Sequence, residues 1–93
     1  MTTIPKISGY GDYSSENYGL NSLKVVFENF TLFYSYATII AYRDGDDGLV
    51  IRENDWNPTT GKHLNWINYD KSIRIDGDLF EQKLKDMLNR HTN

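Results

Sequence analysis

The sequence predicts an α+β domain in which an antiparallel β-sheet of four to five strands forms a meander and a C-terminal amphipathic helix packs on one face. Three observations predict this fold. Short apolar runs with strand-like alternation recur from residue 23 onward, turn-forming residues separate them, and an apolar stripe with helical spacing occupies 78–91. With 93 residues and no cysteine, the chain is expected to be a single domain, 1–93, that depends on packing for its stability.

The first segment, residues 1–22, is rich in glycine and tyrosine and has no sustained period, so we expect an ordered loop or an edge of the sheet. The antiparallel sheet is expected within 23–75. Its apolar residues alternate with polar ones at first, and the runs that follow are rich in aromatic and β-branched residues. Four consecutive strands are expected at 23–28, 30–36, 38–43 and 49–53.

The turn between the third and fourth strands carries the clearest hairpin signal. Residues 44–48 are Asp-Gly-Asp-Asp-Gly, and both residue types favour tight turns. After the fourth strand, residues 54–61 are dense in turn formers. Pro58 excludes a central strand or a helix interior in that stretch, because proline has no backbone N–H to donate.

The last third of the chain is expected to contain one more strand and the helix. Alternation predicts a short fifth strand at 62–67, and a further extended segment is expected at 73–75. In the helix, 78–91, Asp78 is the expected N-cap and Glu81 completes a capping box, while basic residues in the last turns suit the helix dipole. The apolar stripe consists of Phe80, Leu84, Met87 and Leu88.

The negative charge of the chain is concentrated in one hairpin. The formal net charge is −3, and all of it maps to 43–55, where five acids accompany two bases. A local acidic feature of this kind can attract a basic partner surface, and it can also serve as a solvated turn that keeps a small protein soluble. The five acids are Asp44, Asp46, Asp47, Glu53 and Asp55.

Aromatic residues outside the strands complete the candidate partner-binding surface. Tyr10, Tyr13 and Tyr18 lie in the N-terminal segment, and Trp56 follows the fourth strand. These side chains combine an apolar ring with a polar group, so they serve both in cores and at interfaces. We expect the four rings and the five acids to contact a protein partner. An open aromatic strand edge would also favour a homodimer.

Several functional classes lack the residues that they need. The absence of cysteine removes thiol nucleophiles and iron–sulfur ligation. The aspartates of 44–48 resemble a calcium loop in composition only, and His91 is expected to lie in a fraying chain end, so we expect no metal site and no cofactor. The net charge argues against a general nucleic-acid binder. No export leader or bilayer-spanning apolar run occurs, which predicts a cytoplasmic location.

Two other functions stay open. A nucleic-acid-associated factor would place basic residues beside aromatic rings that stack on bases. The residues of that basic strip would be Lys62, Lys71, Arg74, Arg43 and Arg52, with Trp56, Trp66 and Tyr69 between them. A small hydrolase or nucleotide-binding protein would instead gather four polar side chains in one pocket. Those four are Glu53, Asp55, Lys62 and His63.

Two sequence blocks, Arg52-Glu53-Asn54-Asp55-Trp56 and Thr59-Thr60-Gly61-Lys62-His63-Leu64, carry a resemblance that extends over nearly the whole chain. In these blocks the sequence resembles a family of small uncharacterised proteins from tailed phages and prophages. That family has no assigned activity, so the resemblance implies no catalytic residue. It implies a phage accessory factor acting in the infected bacterial cell, such as an anti-CRISPR inhibitor of host defence. The leading hypothesis is therefore a non-enzymatic protein that occludes a surface of a bacterial host protein, for example a CRISPR nuclease.

Overall fold

The computed structural model describes residues 5–10, 22–54 and 58–92. In this part of the chain, five strands are followed by two α-helices. The strands are β1 (Lys6–Gly9), β2 (Ser22–Val26), β3 (Phe30–Ser35), β4 (Thr38–Asp44) and β5 (Gly48–Ile51). The helices are α1 (Pro58–Ile67) and α2 (Gly77–Thr92), with a single 3-10 turn, Lys71–Ile73, between them. Neither α-helix combines the length and the hydropathy needed to cross a bilayer.

The five strands form one antiparallel sheet in the order β1-β2-β3-β4-β5. This arrangement confirms the predicted α+β meander and its four central strands. β1 supplies the edge within the N-terminal segment, and every one of its residues is exposed. The extended segment expected at 73–75 is reduced to one parallel bridge between Ile75 and Arg52, because the 3-10 turn occupies the residues before it.

Strand β4 contains a bulge that changes which face its side chains occupy. Phe33 pairs with Ala41 and Tyr34 pairs with Ile39, which leaves Ile40 as an extra residue. Consecutive residues of a strand normally point to opposite faces, but Ile40 and Ala41 both pack in the same buried cluster. The bulge therefore delivers two adjacent apolar side chains to one face of the sheet.

The prediction of a fifth strand at 62–67 is wrong, because these residues belong to α1. Pro58 occupies the first helical position, where a missing N–H costs nothing. The expected alternation does not describe this segment, since Leu64 is fully buried whereas Trp66 is half exposed. The face turned toward the sheet has helical spacing instead. It consists of Thr60, His63, Leu64 and Ile67.

The sheet is covered on both faces by helices, whereas the sequence predicted one helix on one face. α1 and α2 each contribute to a separate buried cluster. The cluster under α1 contains Ile40, Ala41, Ile51 and Leu64. The cluster under α2 contains Leu32, Tyr42, Phe80, Leu84 and Met87. At about 25 cal/mol per Å² of buried apolar surface, these clusters supply the main stabilising term in a chain without disulfides.

Helix α2 begins earlier than the capping-box prediction placed it. The carboxylate of Asp76 accepts hydrogen bonds from the N–H groups of Asp78 (3.1 Å) and Leu79 (3.3 Å). Asp76 is therefore the N-cap, two residues before the expected Asp78. Glu81 does not close a capping box in the structure. Its carboxylate accepts a 2.9 Å bond from Arg52, which ties the first turns of α2 to the end of β5.

Candidate functional site

The acidic hairpin between β4 and β5 is held by the last turns of α2. The side chain of Asp44 is completely buried, and its carboxylate accepts bonds from the Asp47 N–H (2.7 Å) and the Arg90 guanidinium (2.9 Å). His91 Nε2 lies 3.1 Å from the same carboxylate. The imidazole also stacks on Phe30 at a centroid distance of 5.2 Å, so the expectation that His91 frays is wrong. One carboxylate thus joins the hairpin to the end of the helix.

Arg90 extends this network to the other two aspartates of the turn. Its guanidinium bonds to Asp47 at 2.9 Å and lies 3.5 Å from the Asp46 carboxylate. The hydroxyl of Tyr42 donates a 2.6 Å bond to Asp47. Burial alone would raise the pKa of Asp44, but the bonds from Asp47, Arg90 and His91 outweigh it and lower that pKa to about 2. Burial, followed by the bond to Asp47, raises the pKa of Tyr42.

The candidate acidic surface is therefore smaller than the sequence indicates. The Asp44 carboxylate has no exposed area and cannot contact a partner, and Asp47 is committed to Arg90 and Tyr42. Asp46 is 71% exposed, and Glu53 is also exposed. The predicted contacts Tyr13, Tyr18, Asp55 and Trp56 lie outside the described residues, whereas Tyr10 is half-buried and donates a 2.6 Å bond to the Tyr34 carbonyl.

Three potential metal ligands occur in this network. One ligand atom from each of Asp44, Asp46 and His91 lies within 4.8 Å of the others. The Arg90 guanidinium already provides a cation for both carboxylates. In the part of the chain that the structure describes, these side chains form a salt-bridge network between the hairpin and α2.

A buried polar network that the sequence did not predict lies under α1. The Ser35 hydroxyl is 2.7 Å from His63 Nδ1 and 3.1 Å from the Thr60 hydroxyl, and all three residues are buried. The ring of Tyr10 meets the imidazole edge-on at 6.2 Å. Tyr36, which follows Ser35, adopts a positive φ of 55° in the β3–β4 turn. These bonds satisfy buried polar groups and fix α1 on the sheet.

The hydrolase hypothesis requires four side chains in one pocket, and the structure does not bring together the three of them that it describes. His63 is fully buried in the network with Ser35, whereas Glu53 and Lys62 are exposed. Lys62 lines a cavity that includes neither Glu53 nor His63. Asp55 lies outside the described residues.

The outward side of α1 carries an exposed aromatic group. We define the aromatic surface as Lys62, Asn65, Trp66 and Tyr69, which together line a cavity of about 150 Å³. Trp66 is 50% exposed and Tyr69 is 83% exposed. The first three residues follow helical spacing, and Tyr69 follows the helix end, so the structure of this segment creates a surface that a strand would not.

Arg74 lies beside the aromatic surface and bonds to it. Its Nη2 donates to Asn65 Oδ1 at 2.9 Å and to the Asn68 carbonyl at 3.5 Å. The predicted basic strip thus keeps Lys62 and Arg74 close to Trp66 and Tyr69. Arg52 belongs elsewhere, since it pairs with Glu81 and its guanidinium lies 5.6 Å from the Phe80 ring centroid on the α2 side of the sheet.

A larger open groove, of about 620 Å³, runs along α2. The described residues that line it come from one side of the helix and mix charged, amide and leucine side chains. They are Glu81, Gln82, Leu84, Lys85, Leu88 and Asn89. Nothing in the described part of the chain indicates what fills this groove.

The comparisons with known proteins give a family without a function. No curated protein and no solved structure matches the chain. A family model described as a family of unknown function, DUF8033, matches residues 6–82. The matched span runs from β1 into α2 and includes the aromatic surface, whereas Arg90 and His91 lie beyond it. The chain therefore belongs to the DUF8033 family of unknown function.

Proposed function

We propose that this protein is a non-catalytic module that binds another protein and occludes part of its surface. The observation that carries the proposal is the exposure of Trp66 and Tyr69 around one small cavity. A half-exposed tryptophan next to an exposed tyrosine leaves apolar area in water, and these two residue types dominate the energetics of protein interfaces.

The size of the cavity supports a protein partner over a small-molecule ligand. Pockets for small ligands have volumes of roughly 300–1,000 Å³, whereas the cavity of the aromatic surface measures about 150 Å³. A cavity of that size accepts about one large side chain. Insertion of a side chain between aromatic rings is the usual arrangement of an interface hot spot.

The proposed partner-binding surface is the aromatic surface and not the acidic hairpin that the sequence predicted. The acidic hairpin was expected to face the partner, but Asp44 and Asp47 are engaged with Arg90 in the same chain. The aromatic surface lies on the other side of the molecule, on the outward side of α1, which packs on the opposite face of the sheet. The partner class, a bacterial host-defence protein such as a CRISPR nuclease blocked by a phage factor, rests on the sequence resemblance alone.

Affinity capture from a bacterial host lysate tests this function. Tagged protein is compared with the variant Trp66→Ala/Tyr69→Ala, with and without nuclease treatment, and the captured proteins are identified by mass spectrometry. Loss of two hot-spot side chains is expected to weaken capture by at least about 30-fold. The matched control is Ile7→Thr, because Ile7 is 67% exposed and its pairing with Val25 places it on the α2 side of the sheet.

The outcomes separate the candidate functions. A stoichiometric protein that survives nuclease, is lost in the aromatic variant and is retained by Ile7→Thr supports the proposal. Capture that both variants retain equally would contradict it. Nucleic acid that disappears after nuclease treatment would favour the second candidate, a nucleic-acid-associated factor, for which Lys62 and Arg74 beside two aromatic rings are the supporting observation.

A further inference from the structure

Arg74 differs from the other two arginines that the structure places near the helices. Arg52 bonds to Glu81, and Arg90 bonds to the aspartates of the hairpin. Arg74 contacts no carboxylate among the described residues, and its hydrogen bonds run to the Asn65 side chain and the Asn68 carbonyl, both of which are neutral. Its charge is therefore not compensated within the described chain.

Burial of a guanidinium charge that has no carboxylate partner lowers the stability of the fold. Arg74 is half-buried, and its Nε–H is buried without a hydrogen-bond partner. Burial also lowers the pKa of Arg74. A guanidinium has five N–H donors, and a charge withdrawn from water is destabilising until an anion pairs with it. Nη2 already donates to Asn65 and Asn68 and Nε is buried, so a carboxylate would pair with the remaining N–H groups of Arg74, those of Nη1.

Charged side chains of both signs lie near Arg74 in the sequence, but no carboxylate among the described residues pairs with it. Lys62 lines the cavity that Asn65 shares with the aromatic surface, and Lys71 is exposed in the 3-10 turn. The acids of this segment are engaged elsewhere, since Asp70 accepts bonds from the N–H and hydroxyl of Ser72 and Asp76 caps α2. An anion that approached Arg74 would thus lie beside a cavity for one apolar side chain.

We infer that the aromatic surface binds an acidic protein segment, in which a carboxylate pairs with Arg74 while a neighbouring apolar side chain enters the cavity between Trp66 and Tyr69. This inference rests on the proposed function and adds the chemistry of the partner. The charge of the inferred partner segment is opposite to the one that the sequence predicted, because the acidic hairpin indicated a basic partner. A protein segment is favoured over a nucleic acid, since the chain carries a net charge of −3 and a cavity of about 150 Å³.

A titration with defined probes tests the inference on the full chain. The Arg74 Nε–H and the Trp66 indole N–H resonances are followed while an octapeptide of alternating glutamate and leucine is added. The first control probe replaces every glutamate with glutamine, and the second is an eight-nucleotide oligothymidylate. The glutamate peptide is expected to shift both resonances and to bind about tenfold more tightly than the glutamine peptide, as one charge-assisted pair contributes.

Variants separate the charge from the fold. Arg74→Met is expected to weaken binding of the glutamate peptide about tenfold and to leave the glutamine peptide unchanged. Arg74→Lys keeps the charge without the planar fork, so it is expected to retain part of the affinity even if the methionine variant folds poorly. The matched control, Lys83→Met, removes an exposed cation from α2 and is expected to change neither value.

Each contrary result has a distinct meaning. Equal binding of the two peptides, or no binding of either, would overturn the inference. Tighter binding of oligothymidylate would overturn it in favour of phosphate as the anion. If the aromatic variant loses capture from the lysate while the two peptides bind equally, the proposed function stands and the acidic partner does not. If the glutamate peptide binds more tightly than the glutamine peptide but no protein is captured from the lysate, the acidic ligand stands and the proposed function does not.

Discussion

Replacing Asp44 with asparagine is expected to destabilise the fold by about 2 kcal/mol at neutral pH. In the folded chain, burial opposes ionisation of Asp44, but the bonds from Asp47, Arg90 and His91 lower its pKa from 3.8 to about 2. A difference of that size corresponds to about 2.5 kcal/mol of preferential binding to the charged form. The side chain of Arg90 is 39% exposed, and screening by water reduces the figure toward 2 kcal/mol.

The pH dependence of this effect has a definite sign. Because the folded pKa of Asp44 lies below its unfolded value, the carboxylate stabilises the fold fully above pH 4–5, and this contribution is lost as the pH falls through 3.8 toward 2. Asparagine does not titrate. The stability difference between wild type and Asp44→Asn is therefore expected to shrink toward the value set by packing alone in that window.

Urea unfolding and thermal unfolding, both followed by circular dichroism at pH 7 and pH 2.5, measure the free energy of unfolding and the melting temperature. At neutral pH the variant is expected to melt about 8–16 °C below wild type, as a 93-residue chain loses roughly 4–8 °C per kcal/mol. The control is Asp46→Asn, whose carboxylate is 71% exposed and 3.5 Å from Arg90, and it is expected to cost under about 0.5 kcal/mol. A cost for Asp44→Asn that is negligible, or that is the same at both pH values, would refute the assignment of the buried charge.

Three further substitutions, one of them with a matched glycine control, test other parts of the fold by the same unfolding measurements. Leu64→Ala removes a fully buried side chain between α1 and the sheet, so a loss of about 2–5 kcal/mol is expected, and a smaller loss would show that α1 packs loosely. Ser35→Ala leaves buried His63 and Thr60 groups without this hydroxyl, and a loss of about 1–3 kcal/mol is expected, whereas no loss would mean that the network is not structural. Gly48→Ala places a side chain at a φ of +69° and is expected to cost about 1 kcal/mol, while Gly45→Ala, where the added methyl meets open space, is expected to be neutral. Equal costs at the two glycines would contradict the turn geometry.

The meander was predictable because each of its strands carries its own local signal. The alternation of Leu23 and Val25, the aromatic run of β3 and the Asp-Gly turn before Gly48 are all short-range features, and the structure places strands at each of them. The helix α2 was equally readable from its apolar stripe. Only its start differed, because both Asp76 and Asp78 are good N-cap residues and the sequence does not choose between them.

The helix α1 was missed because polar residues occupy half of its buried face. Thr60 and His63 are buried through their bonds to Ser35, a strand residue distant in sequence, so hydrophobicity alone hides the helical period. The same limit applies to the acidic hairpin. The dipole of the helix accounts for basic residues in its last turns, yet two of them, Arg90 and His91, contact Asp44 across 46 and 47 positions of sequence. No local sequence pattern predicts this long-range contact. The contact changes which acidic side chains are available to a partner.

The bulge at Ile40 shifts by one residue the alternation of side chains between the two faces of the sheet, and this limits how the length of β4 can vary. Ile39 packs on the α2 side, Ile40 and Ala41 pack on the α1 side, and Tyr42 returns to the α2 side. Removal of Ile40 would restore simple alternation and leave Ile39, Ala41 and Tyr42 on their present sides, but it would take a fully buried side chain out of the cluster under α1. A one-residue deletion elsewhere in β4 that kept the bulge would instead send the residues on one side of it to the wrong helix. Changes of length within β4 are therefore expected not to be tolerated, and the interior of this strand is a fixed spacer between the two helical layers.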